Sequence, residues 1–449
     1  MTQTPDLDGV VVQIRSTGNP FVPFPLLDNP PKAQTTGAFI DFVLLFVAIS
    51  TASDMLINFG PLPKASWLLC YTLAFIRIAT ALPWFLALIG RNIIVLVYPG
   101  VCLVSVLWSF STVGTLASAI QLTMTVLIGC YLGWRYSLTI VLKCFAILMV
   151  VASLLSLVHL VTSIFPWPIN TAAGGLAGLF RHKTMLGQAS MFAVAIIVAL
   201  FLLNRNEVGW TRRPLLVLAL MAALLTLLLS LSITSILVLL PMVGGILLLC
   251  LRRIPVAVAG GVLAVVTLLA AVGPLALSVA GIDPVKAVLD GVGKSSTLTG
   301  RTTLWAIAED IRERHPYFGI GYRAFWIAPE FANGRALTYE AGARTAPSFH
   351  NFVLEILVSV GVPGLLAMLA AIAVCAQRLT SLFRRDGLPT TAAALSILGG
   401  SVFMSLTSTS LYRPHEIMIM LLAAMTVAAG EELRRPSRRA RGLRRNRPD

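Results

Sequence analysis

Acidic residues are scarce in this 449-residue chain: 19 Asp and Glu stand against 34 Lys and Arg, and charged residues of both signs make up only 12%. Hydrophobic residues supply 57%, and the mean hydropathy is +0.86. A water-soluble fold cannot hide that much apolar surface, so a soluble class is excluded and most of the chain must use lipid as its solvent. Cysteine is sparse too. All six (Cys70, Cys102, Cys130, Cys144, Cys250 and Cys375) fall within apolar runs, which implies no disulfide framework and no metal-ligand spacing. They read as small core residues.

What is present is a series of long apolar runs. Inside a bilayer only helices or closed barrels satisfy their own backbone groups, and unbroken runs argue for helices. The fold class is therefore an all-α polytopic membrane protein. Spans of about 17–27 apolar residues number about twelve, near 38–57, 66–89, 92–110, 115–133, 138–162, 187–203, 214–231, 234–251, 254–280, 350–376, 390–411 and 415–430. Between the seventh and eighth only "SLSITS" marks a turn. The organisation expected is a disordered, proline-rich cytoplasmic arm (1–36), not a cleavable signal peptide, then transmembrane helices one to nine (37–280). A large, partly helical extracytoplasmic loop (281–349), helices ten to twelve (350–430) and an Arg-rich cytoplasmic tail (431–449) follow.

Orientation follows from Lys and Arg. With the N-terminus inside, cytoplasmic segments hold Arg15, Lys32, Arg91, Arg135, Arg205, Arg212, Arg213, Arg252, Arg253, Arg378, Arg384, Arg385 and the tail. Short outer loops hold Lys64, Arg181, Lys183 and Arg413. The net charge of +15 thus needs no nucleic acid. The tail "RRPSRRARGLRRNRP" suits topology setting and attraction to anionic lipid head groups.

Chemistry should lie where polar residues run against this gradient, and three places qualify. In the outer segment, "TGRTTLWAIAEDIRERH" reads as an amphipathic helix with Leu304, Ile307, Ala308 and Ile311 on one side and Glu309, Asp310, Arg312 and Glu313 on the other. Pro316 ends it, and Gly319 and Gly321 permit a tight turn. The second place is "GLFRHKTMLGQ", where Arg181, His182 and Lys183 stand at the membrane surface as substrate contacts or snorkelling anchors. The Pro- and Gly-rich loop before it, "FPWPINTAAGGLAGLF", is apolar enough to dip into the membrane. The third is a set of ionisable groups in spans: Asp41, Asp54, Arg77, Glu355 and Lys143. Arg77 falls near the middle of the second span and must pair or face water, as a structural ion pair or a substrate contact.

Two decoys fail. "GVGKSS" lacks the glycine a phosphate-binding loop needs, since Val288 occupies that position. "DLD" (Asp6 to Asp8), which looks like a metal-nucleotide carboxylate pair, sits in the N-terminal arm.

Three stretches together resemble the superfamily of O-antigen ligases and bacterial polysaccharide polymerases: "GLFRHKTMLG", "GRTTLWAIAEDIRERHPYFGIGYRAFW" and "SFHNFVLEILVSVGVPG". The combination is most similar to the exopolysaccharide-polymerase branch, and "LWSFS" (Leu107 to Ser111) is a weaker echo. Thr184 departs from the branch, which usually carries Asn after His-Lys. The resemblance implies a membrane glycosyltransferase with an outer loop capping a cavity. Its donor would be an oligosaccharide on a polyprenyl diphosphate at the outer face of the bacterial inner membrane. Its acceptor would be a saccharide or lipid hydroxyl, with inversion and with no metal or cofactor. A chain-length regulator is a further candidate partner.

By that resemblance Arg301 and Arg323 are the outer-loop arginines and His350 the family histidine. Guanidinium groups suit a departing diphosphate because they bind phosphate bidentately and stay charged. Arg181 and Lys183 are candidate additions, with His182 and His315 as lesser candidates for the base. His350 stands at the lip of a span, where an imidazole can accept the acceptor hydroxyl's proton or hold that hydroxyl in line. Asn351 orients the acceptor or satisfies the first turn of the span. Within this class a polymerase is favoured over a ligase. The alternative of another class is a transporter of lipid-linked saccharide, which would use Arg77, Asp41 and Asp54.

Overall fold

The computed structural model describes residues 35–171, 174–203, 213–250, 299–340, 348–406 and 408–435. The N-terminal arm up to residue 34, the ninth expected span, the "GVGKSS" stretch and the tail from residue 436 lie outside them. Among the described residues the regular structure is helical, with one isolated bridge between Asn170 and Leu176. The α-helices of nine residues or more, in chain order, are α1 (Thr35–Ala52), α2 (Leu62–Ala79), α3 (Leu82–Arg91), α4 (Ile94–Val104), α5 (Thr112–Arg135), α6 (Leu138–Thr162) and α7 (Lys183–Phe201). Then come α8 (Arg213–Leu229), α9 (Ile233–Cys250), α10 (Thr299–Arg314), α11 (Ala332–Glu340), α12 (Phe352–Asp386), α13 (Pro389–Ser405) and α14 (Ile417–Arg434).

Five of these are long and apolar enough to cross a bilayer alone: α5, α6, α7, α9 and α12. A sixth arises if α2 and α3 count as one broken span. The expected dozen is not reached among the described residues, because several apolar runs are cut into shorter helices. The run 66–89, read as one span, is two helices bent by 98°. Pro83 has no N–H for the carbonyl of Ala79 and its ring crowds that carbonyl, so the helix stops and restarts. Run 214–251 does divide at "SLSITS", where Leu231 takes a left-handed φ of 50°.

Close packing in lipid favours small residues, since lipid tails offer no hydrophobic drive to associate. Gly129 and Gly133, one turn apart on α5, lie against the backbone of Met420 and Ala424 on α14. A large core runs through the bundle. A second, smaller one, with Leu304, Ala308, Ile311, Phe325, Phe349 and Val358, ties α10 to the start of α12.

The joint that fixes the 317–323 stretch against the bundle is a break in α12. Gly361 sits at φ 65°, ψ −159°, inside the helix. Pro363 offers no N–H to Ser359, and the Val362 N–H turns away to the carbonyl of Tyr317 at 2.9 Å. Two helix carbonyls are thereby released, and the outer segment takes both. Ile320 N–H donates to Val358 O at 2.9 Å and Gly321 N–H to Ser359 O at 2.8 Å. The stretches "PYFGIGY" and "SVGVPG" are two halves of one interlock. The "LWSFS" stretch closes it from the other side: Trp108 Nε1 donates to Phe318 O at 3.1 Å and Phe110 N–H to Ile320 O at 3.2 Å.

Candidate functional site

From this joint the chain enters Tyr322 and Arg323. Tyr322 is fully buried: its N–H donates to Ser105 Oγ at 3.0 Å, its carbonyl accepts from Thr115 Oγ1 at 2.9 Å, and its hydroxyl donates to Tyr412 O at 2.7 Å. So fixed, it throws Arg323 into a left-handed turn at φ 60°. The Arg323 guanidinium has no ion pair among the described residues, and its Nε is enclosed without an acceptor among them.

His350 occupies a second left-handed turn, φ 52°, beside α12. Asn351 is the N-cap of that helix, its Oδ1 accepting from Val353 N–H at 3.0 Å and Leu354 N–H at 3.3 Å. One turn on, Glu355 is buried and reaches back: its Oε1 accepts from Phe349 N–H at 2.6 Å and its Oε2 from Trp326 Nε1 at 3.0 Å. One carboxylate thus clamps the residue before His350 to the turn that follows Arg323. Arg323 and Arg413 both act on it electrostatically. Trp305 Nε1 donates to Phe349 O at 3.0 Å, which brings α10 to the same place. Arg301 lies in the first turn of α10, about 6 Å along the axis before Trp305. His315 packs edge-on against Phe110, and on α10 Arg314 pairs with Asp310 at 2.7 Å and Arg312 with Glu309.

The loop before α7 folds back among helices. Leu176 N–H donates to Leu229 O at 2.8 Å, Leu179 N–H to Ser156 Oγ at 3.1 Å, and Trp167 Nε1 to Gly178 O at 2.9 Å. Asn58, in the turn after α1, donates to Leu179 O at 3.0 Å. This lodges Arg181 close enough to Asp54 for the two charges to act on each other. His182 caps α7 through Nδ1, which pairs with the Thr184 hydroxyl at 2.8 Å, so the departure at Thr184 has a partner. Burial and the neighbouring Lys183 hold His182 below the usual imidazole range.

A fourth contributor is "YRPHE", Tyr412 to Glu416, between α13 and α14. Arg413 Nη2 donates to Glu416 Oε2 at 3.0 Å, and Arg413 Nε is enclosed without an acceptor among the described residues. A third of the Arg413 side chain (33%) nonetheless stays open to solvent. His415, at φ 64°, stacks on Trp67 with ring centroids 4.0 Å apart and pairs with the Tyr71 hydroxyl. Burial, with Arg323 adding repulsion, lowers His415 to about 4, so its ring is neutral at pH 7. Burial lifts Glu416 to about 7 against the pull of Arg413, and it raises Asp54 against Arg413 and Arg181. Glu416, Asp54 and Gln188 line a cavity of about 30 Å³.

Four of the six non-glycine residues with positive φ among those described are Asp54, Arg323, His350 and His415. Such backbone costs of order 1–3 kcal/mol apiece and persists where surroundings over-determine it, which is common at functional sites. Here all four are ionisable and sit at one end of the bundle.

Arg77 is not there. It lies in the last turn of α2, not at mid-span, and forks onto Asp41 at 2.7 and 3.2 Å. Asp41 also accepts from Arg135 Nε at 2.9 Å and the Tyr131 hydroxyl at 2.5 Å. Arg135 is twenty residues along α5 from Thr115, the partner of Tyr322, which puts the two ends about 30 Å apart. Arg77→Gln should cost about 1–2 kcal/mol of stability, because Asp41 keeps two partners. Activity per folded molecule should not change, as a melting curve beside an activity assay would show.

Sequence reasoning passed over Arg413, His415 and Glu416 as chemistry, counting Arg413 only as an outer-loop charge and starting the last span at His415. The available signal was the gradient itself: "RPHE" is a charged run between two apolar helices.

Comparison with known proteins covers part of the chain. The model of the family described as O-Antigen ligase matches residues 216–369. A stretch of 83 residues is 37% identical to the exopolysaccharide production protein ExoQ of Rhizobium meliloti (strain 1021). That match spans 18% of this chain and 19% of the relative, so it covers about a fifth of that protein's length. With several helices apolar enough to cross a bilayer, these matches support the O-antigen ligase and polysaccharide polymerase superfamily for this membrane protein.

Proposed function

We propose that the protein is an inner-membrane glycosyltransferase that polymerises polyprenyl-diphosphate-linked saccharide units at the extracytoplasmic face. The observation that carries this is the pair of arginines, Arg323 and Arg413, each with a buried Nε that lacks an acceptor among the described residues. A buried donor without an acceptor costs about 1–3 kcal/mol, and a diphosphate would satisfy both. In the reaction an acceptor oxygen attacks the anomeric carbon and the bond from that carbon to the diphosphate oxygen breaks. The electron pair leaves on the diphosphate, where Arg323, Arg413 and Arg181 meet the growing charge. Arg301 joins them from the first turn of α10, and Lys183 adds charge at the rim. His350 and Asn351 hold the acceptor hydroxyl in line, and the Glu355 clamp keeps the His350 turn in register with Arg323.

His350→Ala and Arg301→Ala should each abolish polymer while the protein still inserts in the membrane. Full-length polysaccharide from both variants would defeat the assignment. A deletion strain separates the readings within the class. Single-repeat or shortened surface glycan means polymerase, and free lipid-linked polymer means a ligase serving a lipid or protein acceptor. Lipid-linked units stranded on the inner leaflet would instead mean a transporter.

A further inference from the structure

We propose that Glu416, facing Asp54 across a shared cavity, is the catalytic group that takes the proton from the acceptor hydroxyl. This rests on the transferase reading and assigns a role to residues outside the segment matched by the O-antigen ligase family. The two carboxylates come from opposite parts of the chain, Asp54 from the turn after α1 and Glu416 from the residue that opens α14. They meet at one partly open cavity of about 30 Å³, with the Gln188 amide beside them and Met149 and Phe192 as apolar wall. That volume admits one water-sized group. It is room enough for a single hydroxyl at its open side. Gln188 is itself oriented, its Nε2 donating to Ser410 Oγ at 3.3 Å.

The charged groups that act on Glu416 are Arg413, from its own loop, and Asp54. Arg181, before α7, acts on Asp54. Two carboxylates facing one small cavity resist ionising together, so the pair has a place for one proton near neutral pH. Burial that lifts Glu416 to about 7 suits a proton acceptor at working pH.

The step balances as follows. The hydroxyl proton passes to a Glu416 carboxylate oxygen while the acceptor oxygen bonds to the anomeric carbon. The carbon–oxygen bond to the diphosphate breaks, and the diphosphate takes its electrons. Protonation also neutralises the partner of Arg413, so the Arg413 guanidinium is released toward the diphosphate as its negative charge develops. One proton transfer thus primes the nucleophile and arms the leaving-group site.

The test uses membrane vesicles of the source bacterium, with their own lipid-linked saccharide, carrying wild type, Glu416→Gln or Glu416→Asp. Extension is followed over about pH 5.5 to 8.5, the range that brackets such a proton acceptor. A base acts when deprotonated, so the wild-type rate should climb with pH through about 7 and then level. Glu416→Gln should lose about 10²- to 10⁴-fold in rate together with that climb, and Glu416→Asp should regain part of both. Purified Glu416→Gln protein should bind a synthetic farnesyl-diphosphate-linked N-acetylglucosamine no more weakly than wild type, which separates chemistry from folding. A Gln variant that retains the rate within about threefold and the same pH climb overturns the assignment, being far short of the loss a general base implies. So does one that neither binds the probe nor turns over, since the role is then structural. Wild-type vesicles that extend nothing overturn the transferase reading and this assignment together.

Discussion

Arg323→Ala should lower saccharide transfer by about 10³-fold or more, the range seen when a cation that meets developing phosphate charge is removed. Its stability should not fall, since the buried Nε without an acceptor goes with the side chain. Tyr322, not Arg323, carries the hydrogen bonds that fix the turn, and the Arg323 guanidinium forms no ion pair among the described residues. Alanine inherits the same left-handed φ and neither relieves nor worsens it much. Lysine keeps the charge but loses the planar fork, so Arg323→Lys should recover only part of the rate. Transfer assayed against the amount of folded protein in the membrane checks both. A variant that loses activity only in proportion to lost protein would show that Arg323 is structural.

Gly361→Ala should be as damaging without touching a charge. At φ 65° and ψ −159° the backbone is in a region open essentially to glycine alone, and another residue there costs about 1–3 kcal/mol. A Cβ at Gly361 would also run into the backbone of Tyr317 and Phe318. The casualty is the interlock that returns the carbonyls of Val358 and Ser359 to Ile320 and Gly321. With that undone, the Arg323 turn drifts from His350. Limited proteolysis should cut the 299–340 segment faster in this variant, and transfer should fall with it. Unchanged proteolysis with full activity would show that the joint does not position the site.

These effects mark how far the sequence could be read. Hydropathy located most apolar helices to within a few residues, and periodicity located α10, because both are local properties of a helix face. The break at Thr80 was legible in Pro83 but passed over within a continuous apolar run, so Arg77 was set at the wrong depth. Its partner Asp41 lies on another helix, a relation that no periodicity encodes. The same limit hid the interlock: Gly361 lay inside an expected span and Tyr317 in the loop after Pro316, forty-odd residues apart. Resemblance singled out Arg301, Arg323 and His350. It was silent on Glu416, which gains its meaning from Asp54 at the far end of the chain.

The most direct test of the central idea, that arginines at one end of the bundle grip a lipid diphosphate, is a binding titration. Purified wild type, Arg323→Ala and Arg77→Gln would each be titrated with the farnesyl-diphosphate-linked sugar in detergent. Loss of one charge-assisted contact predicts about 10- to 100-fold weaker binding by Arg323→Ala and wild-type affinity for Arg77→Gln. Equal affinity in all three, or a loss confined to Arg77→Gln, would contradict it.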